Sequence, residues 1–285
     1  WQPKLHQQWN LAAIKYLDLW REEELEGVRG KHEVKVAVID SGVYFRHPDL
    51  DHARLNGSDS ALLKRPPVFD QYDAHGTLVA GIIAAHGKST KRKRPFPFFG
   101  KDRREDGAPG EGLRGIAPRA KLLSLIDGRA SPAQQDKRIM DEVTVTDRVA
   151  AIVRAIRYGA DVINLSWHFE RTCCDTDTFF DSELQGPMLE ALLLAAHAKV
   201  PVVCSVGNNS HLGYPIPYVS YPAAYDSLQY KGEELVVISA GAVDHKLRRT
   251  PNSNYRPAEN AALDGSGGGS YPTVMAPGSA VPSTD

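Results

Sequence analysis

Cysteine is scarce in this sequence, with three residues in 285. Cys173 and Cys174 are neighbours, where a bridge is strained, so a disulfide framework is excluded. Cys204 lies in the apolar run Val202-Val203-Cys204 and reads as a small buried hydrophobe. A single bridge from it to Cys173 or Cys174 stays open, because spacing does not fix connectivity. Net charge is nearly absent too: 34 Lys and Arg against 35 Asp and Glu leave −1. That removes any global pull toward nucleic acid or an anionic membrane. No run is long and apolar enough to read as a membrane span. No basic segment followed by an apolar stretch opens the chain, so nothing reads as a signal peptide. The ten histidines form no His-Glu-x-x-His and the cysteines no paired spacing, which argues against a zinc enzyme.

What is present is alternation. Short apolar runs at Val34–Asp40, Ala120–Ile126, Asp161–Trp167, Val200–Gly207 and Leu235–Val243 are continuous rather than two-periodic. That suits strands of a parallel sheet covered on both faces. Between them lie helical patterns at Leu11–Gly27, with Asn10 as N-cap, and at His75–Ala85, Asp147–Gly159 and Gly186–Lys199. The expected fold is α/β, a doubly wound, mostly parallel sheet with helices on both faces. Two segments break the pattern. Residues 86–112 form a basic insertion containing Lys91-Arg92-Lys93-Arg94, read as a solvated surface loop; a nuclear-localisation patch or a processing site is the sharper reading. Gly265-Ser266-Gly267-Gly268-Gly269-Ser270 reads as a flexible segment.

Two residues stand where chemistry is done in such sheets. Asp40 ends the run Val36-Ala37-Val38-Ile39, and binding crevices form at the carboxyl ends of parallel strands. His75 opens an apolar helix 35 positions later. A carboxylate that orients one imidazole nitrogen leaves the other able to act as general base. A strand-terminal Asp more often caps a turn, and a lone His in an apolar stretch is more often a satisfied core residue. Their joint context raises both.

That context resembles a known family. Val36-Ala37-Val38-Ile39-Asp40-Ser41-Gly42 followed by His47-Pro48-Asp49-Leu50 is similar to the aspartate motif of the subtilases, the subtilisin-like serine proteases. His75-Gly76-Thr77-Leu78-Val79-Ala80-Gly81 resembles their histidine motif, with Leu78 where many members have His. Gly115-Ile116-Ala117-Pro118, Asp161-Val162-Ile163-Asn164-Leu165-Ser166, the segment Val202–Asn208, Tyr221-Pro222-Ala223 and Met275-Ala276-Pro277-Gly278 follow in family order. The resemblance implies peptide-bond hydrolysis by an Asp-His-Ser triad, with Asp40 orienting His75, and Asn208 as oxyanion donor. It also implies a polypeptide substrate laid against Ser166, Trp167, His168 and Gly207. Trp167 and His168 depart from the family's usual Ser-Leu-Gly, so cleavage specificity is not inherited. Asp49 matches a calcium ligand of some members, but the basic insertion stands where further ligands should be. The chemistry requires no cofactor; a structural calcium is admitted only at Asp49.

The nucleophile is what the resemblance leaves unsupplied. The family carries it in Gly-Thr-Ser-x-x-x-Pro, opening a long core helix shortly after Ala-Pro-Gly. Ala276-Pro277-Gly278 is present and continues Ser279-Ala280-Val281-Pro282-Ser283-Thr284-Asp285 without that motif. The expectation is a catalytic domain over residues 1–285 that lacks this helix, its serine lying beyond Asp285 or on a second chain. A pro-domain or inhibitor is a further expected partner. The competing reading is a pseudoprotease that binds peptide or protein without cleaving. A non-protease α/β hydrolase would need Gly-x-Ser-x-Gly at a strand-to-helix turn, which is not present.

Overall fold

Each of the five apolar runs contains a strand. A computed structural model describes residues 8–16, 18, 33–58, 75–87, 113–126, 145–167, 182–208, 219–255 and 272–283. Strands β1 (Lys35–Asp40), β2 (Lys121–Ile126), β3 (Val162–Leu165), β4 (Val202–Ser205), β7 (Val237–Val243) and β8 (Val274–Pro277) make one six-stranded sheet. Its order is β2-β1-β3-β4-β7-β8 and every pairing is parallel. A small antiparallel hairpin, β5 (Gln229–Tyr230) with β6 (Glu233–Glu234), forms separately. Most of the basic insertion and the Gly-rich segment lie outside the described residues.

The pleat divides the apolar runs between two cores. Ala37, Ile39, Leu123, Leu125 and Ile163 face a core shared with helices α3 (Val145–Arg157) and α4 (Ser182–His197). Val36, Val38 and Leu122 face a second core with helix α2 (His75–Ala84). Strands β1 and β2 are buried on both faces, whereas β3, β4 and β7 alternate buried with half-buried residues, so their second face is only partly covered. This is the doubly wound α/β architecture expected.

Several elements differ from the sequence reading. Helix α1 is Trp9–Ala13, ending at Ala13 and not at Gly27, and it is preceded by Gln8, so Asn10 is a buried residue inside it and not its N-cap. Tertiary bonds set this start. The Gln8 side chain donates to the Arg114 carbonyl (2.8 Å) and accepts from the Arg114 N–H (3.1 Å), and the Trp9 indole donates to the Ser279 carbonyl (3.2 Å). Helix α4 begins at Ser182, four residues before Gly186, and carries Pro187 inside it despite the lost N–H bond and the crowding of the carbonyl one turn back. Strand β8 is an edge strand exposed over Val274–Ala276 and closed by Pro277, a composition with little strand signal.

Cys204 is free and fully buried in β4, which closes the bridge reading for this residue. Burial pushes its thiol far above the ordinary cysteine range, so it is inert as a nucleophile. Nearby, the buried carboxylate of Asp226 joins three segments. Its Oδ2 accepts from the Ser239 N–H (2.7 Å), the Ser239 hydroxyl (2.6 Å) and the Thr273 hydroxyl. The Ser239 oxygen in turn accepts from the Thr273 N–H (2.9 Å), so β7 and the start of β8 are tied through one side chain. Asp226→Ala strands these donors in the interior and should cost about 3 kcal/mol. Urea unfolding of the two proteins measures it; a loss below about 1 kcal/mol would show that the network is not needed.

Candidate active site

The site is assembled at the carboxyl edge of the sheet. Ile39 lies level with Leu165, and Leu165 level with Cys204. The next residues of the three neighbouring strands, Asp40, Ser166 and Ser205, therefore reach the same edge together. Parallel pairing does this: the chain must cross over between strands, and the crossovers leave one row of carboxyl ends free for side chains.

Asp40 and His75 meet there. The His75 Nδ1 is 2.8 Å from Asp40 Oδ1 and 2.9 Å from Oδ2. The carboxylate side chain is 5% exposed and the imidazole 48%. The Ser41 N–H donates to Asp40 Oδ1 (2.7 Å), fixing the carboxylate from behind. With Asp40 ionised, Nδ1 carries the ring proton and Nε2, on the far edge, holds a lone pair. That is an oriented, solvent-accessible base.

Helix α2 is held to this geometry at both ends. Its first turn has orphan N–H groups, and the Ser41 hydroxyl accepts from the Gly76 N–H (3.0 Å). The Thr77 hydroxyl accepts from the Tyr44 N–H (3.0 Å). At the far end, the N–H groups of Gly115, Ile116 and Ala117 donate to the carbonyls of Ala85, Ile82 and Ile83. The Gly115-Ile116-Ala117 segment thus caps the helix from another part of the chain. The backbone of Gly76 lies directly on the loop after β1: a Cβ there would stand 2.3 Å from the Gly42 carbonyl oxygen. Gly76→Ala should therefore destabilise by about 2 kcal/mol and withdraw His75 from Asp40. A thermal-denaturation scan with the His75 imidazole NMR signals reads both effects. An unchanged Tm would mean that the loop yields.

The other candidate residues are placed less closely. Ser166 is half-buried, its hydroxyl accepting from Asn164 Nδ2 (2.9 Å). Trp167 turns inward: it is 4% exposed in the larger core, with the Arg148 guanidinium 4.2 Å from its ring centroid. His168 lies outside the described residues. Gly207 is buried with φ +101°, and Asn208 follows it, exposed, beyond β4. Asp49 sits half-buried in a turn, its N–H donating to His47 Nδ1 (3.1 Å) and its carbonyl accepting from the His86 N–H. Among the described residues no three His, Cys, Asp or Glu converge to hold a metal ion. Asp49 is therefore in no such group among the described residues. Ser41 and Thr77 were not singled out from sequence. Their only signal is position, one after the Asp and two after the His.

Comparison with known proteins bears on the family and the fold. A family model described as the subtilase family matches residues 31–285. The chain is 27% identical over 253 residues to the major intracellular serine protease of Bacillus subtilis, covering 86% of this chain and 60% of that protein. It is 28% identical over 258 residues to the thermophilic serine proteinase of Bacillus sp. (strain AK1), covering 90% and 46%. The chain thus spans only about half the length of these curated relatives. Among solved structures, the prenylagaramide maturation protease PagA superposes with TM-score 0.52 at 22% identity, covering 85% of this chain and 63% of that one. The patellamide maturation protease PatA does so with TM-score 0.52 at 22% identity, covering 87% and 67%. At that identity the structures attest the fold.

Proposed function

The chain belongs to the subtilase family, and on that premise we propose that it carries the base, the orienting carboxylate and the oxyanion donor of a serine endopeptidase. The observation that carries this reading is the Asp40–His75 contact, in which a buried carboxylate holds a half-exposed imidazole by one nitrogen. The substrate is a polypeptide, laid as an added strand along Ser166, His168 and Gly207, with Trp167 offering only its backbone because its side chain is in the core. The nucleophile is a serine from a segment beyond Asp285 or from a second chain. Ser283 supports the former: its hydroxyl donates to the Leu78 carbonyl (2.5 Å), placing the last described residues against the histidine helix. A continuing segment would start beside His75.

The steps follow from the constellation. His75 Nε2 takes the serine hydroxyl proton as the oxygen bonds to the scissile carbonyl carbon. Asp40 keeps the imidazolium in place. The developing oxyanion accepts from the Asn208 side-chain amide. His75 then protonates the leaving amine as the C–N bond breaks. Water, deprotonated by the same nitrogen, then bonds to the acyl carbon, and the bond to the serine oxygen breaks as that oxygen takes the proton back from His75. No step calls on a metal or cofactor. A pro-domain or inhibitor would be a polypeptide occupying the same edge.

The test is covalent labelling by a fluorophosphonate probe, using the whole polypeptide or assembly that contains a Gly-Thr-Ser segment. Stoichiometric labelling of that serine is expected. A folded sample shown to contain the segment that binds peptide but takes no label would convert the reading to a non-cleaving binding module.

A further inference from the structure

The loop that presents Asn208 is gripped by two residues from later in the chain. Ser220 and Asn254 are 0% and 2% exposed. The Ser220 N–H donates to the Val206 carbonyl (2.9 Å) and the Asn254 N–H to the Gly207 carbonyl (3.0 Å). The two successive peptide planes leading into Asn208 are each fixed by one of these bonds. The Asn254 Nδ2 then donates to the Ser220 hydroxyl (3.1 Å), so the two braces act as one. There is no slack beside them. A Cβ on Gly207 would stand 2.4 Å from both Asn254 Nδ2 and Ser220 Oγ, and the φ of +101° already demands glycine.

We propose that Asn254, paired with Ser220, is a positioning residue that aims the Asn208 amide at the oxyanion. This rests on the reading of Asn208 as the donor. Asn208 is exposed, so the direction of its side chain is set chiefly by the peptide planes that carry it. A donor of this kind works only when held within a few tenths of an ångström, and a displacement of about 1 Å costs up to 10²-fold.

The experiment is a double-mutant cycle on the full polypeptide that takes the probe. Asn208→Ala should lower kcat on the order of 10²–10³-fold. Asn254→Ala should lower kcat roughly 10- to 10²-fold with KM unchanged. The double variant should be no slower than Asn208→Ala alone, because Asn254 has nothing left to aim. Affinity for a peptide boronic acid, whose tetrahedral adduct places an oxygen at the oxyanion position, should fall in step with kcat/KM. Affinity for a non-cleavable peptide should not. Additive losses in the double variant, or a rise in KM that accounts for the Asn254→Ala effect, overturn the proposal. Asn208→Ala at parental kcat overturns the donor reading itself, and the proposal with it. Should Asn254→Ala fail to fold, Ser220→Ala removes the same side-chain link while keeping the backbone N–H, and the same non-additivity is expected.

Discussion

Replacing His75 by alanine in the complete assembly is expected to abolish turnover while leaving the fold intact. The loss should be on the order of 10⁶ in kcat, the magnitude carried over from subtilisin, where base and nucleophile act as a unit. Probe labelling should slow in parallel, since the serine hydroxyl is a weak nucleophile without its base. The fold should survive. The imidazole is 48% exposed, and the bond that anchors the helix start runs from the Gly76 N–H to Ser41 and does not involve the ring. Alanine is the best helix former, but Asp40 Oδ2 loses its partner, so a loss of about 1–2 kcal/mol with a cooperative melt retained is expected. Steady-state kinetics and a thermal melt on one preparation decide it. A variant that keeps more than about a hundredth of parental kcat would remove His75 from the base role, because general-base action alone is worth 10²–10⁴-fold. Lost activity together with a collapsed melting transition would make it a structural residue.

The contrast between residues that sequence exposed and those it hid has a physical origin. Asp40 and His75 were legible because each sits at an element boundary with a strong signal, the end of a continuous apolar run and the start of a helical one. Parallel strands made of largely apolar residues write themselves as such runs, so five of the six strands of the main sheet were legible too, even though only β1 and β2 are buried on both faces. Strand β8 was not, because Val274–Ala276 are exposed and Pro277 cannot donate to a ladder. The supports of the site were illegible for another reason. Ser41 accepts from the Gly76 N–H 35 positions away, and Ser220 and Asn254 bond the turn through their own N–H groups and each other through their side chains across 34 positions. A serine or asparagine in a loop looks the same in sequence whether it braces a catalytic turn or meets water. Gly76 shows the intermediate case. A glycine after the histidine announces a close approach, but only the fold shows that the neighbour is the Gly42 carbonyl.

Asp40→Asn should cost about 10⁴ in kcat by changing where a proton sits, without moving an atom of the site. The Ser41 N–H donates to Oδ1 at 2.7 Å and needs an acceptor there. In the variant the amide oxygen must take that position, which places the NH₂ where Oδ2 now lies, 2.9 Å from His75 Nδ1. An NH₂ can only donate, so its contact with Nδ1 favours the tautomer with the ring proton on Nε2, in competition with an Nδ1–H that the oxygen at the Oδ1 position, 2.8 Å away, could still accept. The nitrogen facing the nucleophile then has no lone pair to receive its proton, and the imidazolium that would form has lost its counter-charge. KM should stay near the parental value, since no group that touches substrate is altered. The two tautomers are distinguished by ¹⁵N NMR of the His75 ring. In the parent protein Nδ1 carries the proton, and in the variant Nε2 does. A variant that loses activity yet keeps the Nδ1–H tautomer would show that Asp40 acts by its charge alone. A variant that switches tautomer yet keeps its kcat would show that Nε2 is not where the proton goes.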